Sequence, residues 1–377
     1  MNKSLEINER STILLVATTS FAGMGPYVVS IVNSFHRDDN VRFFLVEDDS
    51  HYYTNNVKKE LLDKCEIIQQ HMNKIMTLIN LTIYPKYFFR YRLKSIVRDY
   101  NISMIHCLTS FHDPSFVKWF ERKGKFILTV HDLIQHESKK AFYKEIRQNI
   151  FFNRMQKCIT HTSYLITNSK SQSEKLKELF PNKRTTLLPF PTLITESIAK
   201  GGQVCPELKG LKDYILFFGR IEKYKGVNIL LKAYLTSKSN LKLVIAGKGE
   251  FENKVNSSNI IYIDRYIKDE EIRTMYENAK YVVYPYISAT QSGVLSVASF
   301  FRKPMILSDI PFFQETVGSN KAAIFFKSND FASLSESIKS IEFANINMME
   351  TESKTLYLTE YSESSYRAKL LTYYNEI

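Results

Sequence analysis

Short apolar runs of strand length alternate with stretches of helical period along almost the whole chain. In the first half the apolar runs fall at 12–18, 41–46, 65–69, 104–108, 126–130 and 164–167, with helical patterns such as 27–35 and 171–179 between and after them. In the second half the runs fall at 214–218, 241–246, 260–263, 281–284, 305–307 and 323–326, and the helical patterns at 227–235, 269–278, 294–301 and 331–341. Strand and helix in alternation predict parallel sheets covered by helices. The pattern lapses where Pro189, Pro191, Gly201, Gly202, Pro206 and Gly210 punctuate the chain, and that stretch reads as an interdomain linker. The expected organisation is an N-terminal α/β domain over 1–190, a linker over 191–212 and a second α/β domain over 213–355. A helix over 356–377 is expected to pack back towards the first domain. Two such domains in series offer a cleft at the carboxyl ends of their strands, where open α/β sheets bind ligands.

Bulk properties narrow the picture. A chain of 377 residues is long for one domain and ample for two. No apolar run approaches the roughly 20 residues a membrane-spanning helix needs. Residues 1–10 are polar and charged, without the apolar core of a signal peptide, so the cytoplasm is the expected location. Cys65, Cys107, Cys158 and Cys205 are scattered, which argues against a disulfide framework or a zinc knuckle. Lys and Arg number 51 against 39 Asp and Glu, a net charge of +12. That surplus favours an anionic partner: a phosphate-bearing ligand, nucleic acid or an anionic membrane face. No RNA-binding motif stands in the chain, so nucleic acid is not expected.

The chemistry-bearing signal opens the second domain, at Phe217-Phe218-Gly219-Arg220-Ile221-Glu222-Lys223-Tyr224-Lys225-Gly226. A buried strand ends at a glycine, which lets backbone approach a ligand closely. Arg220 follows at once, and Lys225 stands near the start of the next helix. Two cations and a helix N-terminus converge, as a diphosphate site requires. The plain alternative is a strand end with two solvated cations. A second stretch, Tyr284-Pro285-Tyr286-Ile287-Ser288-Ala289-Thr290-Gln291-Ser292-Gly293-Val294, also leaves a strand and enters a helix. Ser292 reads either as an N-cap or, beside Gly293, as part of an anion cradle.

Four motifs in this order resemble the group 1 (family four) retaining glycosyltransferases. They are Phe218-Gly219-Arg220…Lys225-Gly226, Leu243-Val244-Ile245-Ala246-Gly247-Lys248-Gly249, Ala289-Thr290-Gln291-Ser292-Gly293, and Lys303-Pro304. The resemblance covers most of the second domain, with weaker echoes in the first. It implies the GT-B fold, two Rossmann-like domains with parallel sheets facing across a cleft, and a nucleoside diphosphate sugar as donor, with no further cofactor and no metal. It assigns the donor diphosphate to Arg220 and Lys225, and the nucleobase to main chain at Arg265, Tyr266 and Ile267. The family's two glutamates, eight positions apart, correspond here to Ser288 and Ser296. The ribose clamp is therefore missing, and the sugar contact falls to Ser288, Thr290, Gln291 or main chain, beside Ser292, Gly293 and Val294.

In the first domain Phe21-Ala22-Gly23-Met24-Gly25-Pro26 is similar to the family's glycine-bearing loop, with Gly23 and Gly25 near the donor phosphates; a tight turn would also explain the pair. His131 ends the run 126–130, where the resemblance places a histidine facing the sugar; a structural strand-end histidine is the alternative. His131, Asp132 and His136 do not have diagnostic metal-site spacing. Lys86, Arg90, Lys94 and Arg98 recur every fourth residue among Tyr87, Phe88, Phe89 and Tyr91. Such a face suits an anionic membrane surface, but a helix packed on its sheet with solvated charges is the favoured reading. The implied activity is hexose transfer, with retention, to a glycan or lipid-linked acceptor in surface polysaccharide biosynthesis, in the cytoplasm or at the inner face of the membrane. A GT-B sugar epimerase and an inactive nucleotide-sugar-binding subunit remain the alternatives.

Overall fold

A computed structural model of the chain describes residues 12–21, 23–70, 84–131, 142–251, 254–289 and 291–377, without the side chains of 84–88 and 142–148. The chain divides into two compact units, one made of residues 1–189 and 366–377 and the other of 190–365.

The first unit carries seven strands: β1 (Thr12–Ala17), β2 (Val41–Glu47), β3 (Cys65–Gln69), β4 (Ile102–Cys107), β5 (Lys125–Thr129), β6 (Tyr164–Thr167) and β7 (Arg184–Leu187). They pair in parallel in the order β3-β2-β1-β4-β5-β6-β7. This is a doubly wound sheet, whose strand order reverses between β1 and β4. Central strands meet helices on both faces, which is why Leu14, Leu15, Val16 and Ala17 are all fully buried and read as a continuous apolar run. β7 does not show in the apolar pattern. Its Arg-Thr-Thr-Leu is half exposed at the sheet edge, where one face needs no apolar cover.

The C-terminal segment from Tyr366 belongs to this unit. Arg367 pairs with Asp39 through Nη2–Oδ1 at 2.5 Å, the Tyr374 hydroxyl meets His106 Nδ1 at 2.5 Å, and Lys125 Nζ donates to the Ile377 carbonyl. His106 is buried, and burial pushes its imidazole down to about 3, so it holds Tyr374 and Thr129 as a neutral ring.

The second unit repeats the plan with β8 (Tyr214–Phe218), β9 (Leu243–Ala246), β10 (Ile260–Ile263), β11 (Ala279–Tyr284), β12 (Met305–Ser308) and β13 (Ala323–Phe326). The parallel order is β10-β9-β8-β11-β12-β13, with its reversal between β8 and β11. Residues 190–210 are not a free linker. Ile198, Cys205 and Leu208 are buried in this unit's core, and the short helix Glu196–Lys200 packs against the helix Asp269–Asn278. A Cβ on Gly201 would stand 2.6 Å from the Glu270 carbonyl oxygen, so the glycine there serves close packing and not flexibility.

Candidate functional site

In the second unit the two stretches singled out in the sequence leave β8 and β11, the adjacent strands of the switch point, where doubly wound sheets take ligands. Gly219 has φ +141°, and a Cβ on it would find only Lys225 Nζ at 3.0 Å and the Tyr286 hydroxyl at 3.9 Å. Arg220 is 69% exposed in its side chain and meets Glu222 at 3.0 Å. Lys225 is 7% exposed. Its ammonium lies over the Tyr286 ring at 5.2 Å, and among the described residues no carboxylate comes within ion-pair distance of it. Burial pulls its pKa down to about 8; Glu222 resists the shift and Arg220 adds to it. Gly226 turns the chain into the helix Val227–Ser237 at φ +68°, and a Cβ there would stand 1.9 Å from the Pro285 oxygen. The Ile287 N–H donates to the Tyr224 carbonyl at 2.7 Å, so the two loops are stitched together.

The remaining residues divide between open positions and positions taken by packing. Ser288 is exposed, and Gln291, Ser292, Gly293 and Val294 are half-buried. Ser292 is not the N-cap of the helix Val294–Phe300; Gly293 is, without a side-chain cap. A Cβ on Gly293 would fall 1.9 Å from Leu193 Cδ1, so this glycine admits a neighbouring side chain. Ser296 is fully buried; its hydroxyl donates to the Gly293 carbonyl at 2.8 Å and accepts from the Leu193 N–H at 3.1 Å. Ser296 is thus a structural clip between the helix start and Leu193.

Arg265 is also structural. Its guanidinium binds both Glu207 oxygens at 2.9 Å and both Glu271 oxygens at 2.8 Å, and Nη1 reaches the Tyr266 carbonyl at 3.2 Å. Tyr266 is 73% exposed and Ile267 is buried. Lys303 is buried and donates to the carbonyls of Glu277 and Ala279 at 3.0 and 2.7 Å, which explains the Lys-Pro motif by packing. Tyr286, an aromatic just past a strand end, has the local pattern of a core residue and no sequence signal of a site. Thr290 lies outside the described residues.

In the first unit the loops after β1 and β4 meet at the other switch point. Thr18 N–H donates to Thr109 Oγ1 at 2.8 Å, and Thr18 Oγ1 donates to the Ser110 carbonyl at 2.8 Å. Gly23 caps the helix Met24–Ser34, and a Cβ on it would meet nothing within 4 Å. Gly25 instead faces Tyr52 at 2.8 Å and the Ser20 carbonyl at 3.0 Å, a packing requirement. His131 is 9% exposed, stands edge-on to the Tyr27 ring at 4.8 Å, and has Nε2 2.8 Å from the Leu108 carbonyl. A carbonyl only accepts, so Nε2 carries a proton. Gln172 donates to the His131 carbonyl and holds the backbone. Ala22, Asp132 and His136 lie outside the described residues. Among the described residues no cluster of His, Cys, Asp or Glu is arranged to hold a metal ion.

The basic helix Tyr84–Asp99 is partly neutralised within its own unit. Arg90 grips Asp113 through two bonds of 2.7 and 2.6 Å, Lys94 lies over the Trp119 ring at 4.7 Å, and Arg98 meets Asp99 at 3.0 Å. Asp113 also caps the helix Pro114–Phe120. The Lys86 side chain lies outside the described residues. Arg90→Gln is expected to lower stability by about 1.5–3 kcal/mol, the usual worth of a charge-assisted bond. A thermal melt identical to wild type would show that the Arg90–Asp113 pair contributes nothing.

The family model described as glycosyl transferases group 1 matches residues 206–352. O-antigen chain mannosyltransferase C of Escherichia coli is 25% identical over 230 residues, a match spanning 58% of this chain and 59% of that protein. Among solved structures, the sucrose-phosphate synthase of Thermosynechococcus elongatus aligns with a TM-score of 0.67 at 16% identity, over 97% of this chain and 99% of that one. Anabaena HepE in complex with UDP aligns with a TM-score of 0.65 at 12% identity, over 97% and 100%. These likenesses, with the two parallel-sheet units, show the GT-B fold. No helix among the described residues is long and apolar enough to cross a membrane.

Proposed function

We propose that the chain transfers a hexose-type sugar from a nucleoside diphosphate sugar to an acceptor hydroxyl, with retention, in surface glycan biosynthesis. The observation that carries this reading is the buried Lys225 ammonium beside Gly219 and Arg220 at the switch point of the second sheet. A buried cation without a carboxylate in contact is costly, and a diphosphate would offset that cost. The family match over 206–352 and the Escherichia coli mannosyltransferase support the class of reaction.

In this reading Arg220 and Lys225 hold the diphosphate. Gly219, Ser288, Thr290, Gln291, Ser292, Gly293 and Val294 line the donor, and Tyr266 with Ile267 receive the base. Gly23, Gly25 and His131 serve from the first unit. The acceptor oxygen bonds the anomeric carbon on the face from which the phosphate leaves, and the acceptor proton passes to the departing phosphate oxygen. Arg220 and Lys225 stabilise the charge that develops there. No metal or further cofactor is assigned. The acceptor is a glycan or lipid-linked saccharide, met in the cytoplasm or at the inner membrane face. Contact with anionic lipid would show as liposome binding that fades with salt.

The test is a thermal-shift screen of nucleoside diphosphates and nucleotide sugars, followed by donor consumption with a panel of acceptors. A ligand at one hundred times its dissociation constant should stabilise the protein by roughly 2.7 kcal/mol. No shift with any nucleotide would remove the reading. A second reading, an inactive nucleotide-sugar-binding subunit, draws on Ser296 being committed to Leu193 where the family has a glutamate. It predicts a shift without transfer or hydrolysis.

A further inference from the structure

Tyr286 follows β11 and is 1% exposed. Its ring stands against Tyr284, Tyr224 and Phe313 at 6.0, 6.1 and 5.2 Å. Its carbonyl accepts from Ser308 Oγ at 2.6 Å and Ser328 Oγ at 3.3 Å. The residue is therefore held at both backbone and ring. Its hydroxyl, by contrast, is buried without a hydrogen-bond partner among the described residues; the Ser292 hydroxyl is close enough to bias it but lies outside hydrogen-bond geometry. A buried, unsatisfied hydroxyl costs stability, and a packed phenol could be a phenylalanine at no loss. The hydroxyl lies 3.9 Å from the Cβ position that Gly219 lacks, and the Lys225 ammonium stands 3.0 Å from the same point. Two donors of different elements thus flank one spot, and among the described residues no acceptor is hydrogen-bonded to either.

We propose that the Tyr286 hydroxyl is a further donor-phosphate contact, hydrogen-bonded to a phosphate oxygen once the Lys225 ammonium, which lies over the Tyr286 ring, turns onto the same phosphate. This rests on the donor site proposed above. Burial keeps the phenol protonated well above its ordinary range, so it serves as a donor at any working pH and complements the anion without adding a second buried charge. It supplies a fixed contact beside a flexible lysine, in a site whose family carboxylates are replaced by Ser288 and Ser296.

The test compares wild type with Tyr286→Phe, by calorimetry with UDP and GDP and by thermal melts without ligand. Losing a hydrogen bond to a charged acceptor should weaken the bound diphosphate on the order of tenfold to a hundredfold. The unliganded variant should melt at the same temperature as wild type or higher, because an unsatisfied hydroxyl has been removed. A structural tyrosine moves the other way, with a lower melting temperature. Wild-type diphosphate affinity in Tyr286→Phe, or a lowered melting temperature with unchanged affinity, overturns the proposal. If wild type binds neither UDP nor GDP, the failure belongs to the donor site itself and is seen before the variant is compared.

Discussion

Lys225→Ala should weaken nucleoside diphosphate binding by roughly tenfold to a hundredfold and lower turnover with it, since it removes a charge-assisted contact worth about 1.5–3 kcal/mol. The protein should stay folded, and near neutral pH it should melt no lower than wild type, because the lost group is a charge held in a poor environment. Arg220→Ala should act in the same direction but less strongly, as its side chain is largely exposed and already meets Glu222.

The pH dependence separates the two. The Lys225 ammonium titrates near 8 in the folded protein, below its ordinary 10.5, so the binding-competent charge is lost as pH rises through about 8. Diphosphate affinity of wild type should fall above that pH, and the Lys225→Ala protein should lack this fall. For folding the sign is opposite. Between about 8 and 10.5 the unfolded chain holds the proton that the folded one has released, so this group's contribution to stability rises with pH across that window. Calorimetry from pH 6.5 to 9.5 would decide it. Wild-type affinity in both alanine variants, or a flat wild-type profile, would remove the diphosphate assignment.

His131→Ala should lower transfer by roughly a hundredfold or more while leaving nucleoside diphosphate affinity within about twofold. His131 is proposed to act on the transferred sugar, and a nucleoside diphosphate lacks that sugar. The substitution should also cost about 1–3 kcal/mol of stability, because it leaves the buried Leu108 carbonyl unsatisfied and empties the space against Tyr27. The kinetic loss must therefore be read at a temperature where the variant is folded. Intact transfer by folded His131→Ala would rule out a role in the chemistry. Diphosphate binding and turnover falling together, in proportion to the lost stability, would make His131 purely structural.

The apolar runs determined the two parallel sheets. A central strand buried on both faces must be apolar along its length, so β1, β8 and β11 announce themselves locally, and so does the glycine with two cations that follows β8. What only the tertiary structure decided were the matters settled by partners far away in the chain. β7 escaped because an edge strand needs apolar residues on one face only. The Pro- and Gly-bearing stretch read as a linker packs onto the second unit, with Ile198, Cys205 and Leu208 in its core, because its helix Glu196–Lys200 meets 269–278. Ser296 became a clip through Leu193, 103 positions earlier, and Arg265 a brace through Glu207, 58 positions earlier. The cations of the helix Tyr84–Asp99 were periodic and looked free, yet Arg90 is held by Asp113 and Lys94 by Trp119. Lys225 itself was legible as a cation by a helix start. Its burial, and the hydroxyl of Tyr286 beside the same gap, arise only when β8 and β11 lie side by side, because local pattern encodes which face is apolar and not which distant group shares it.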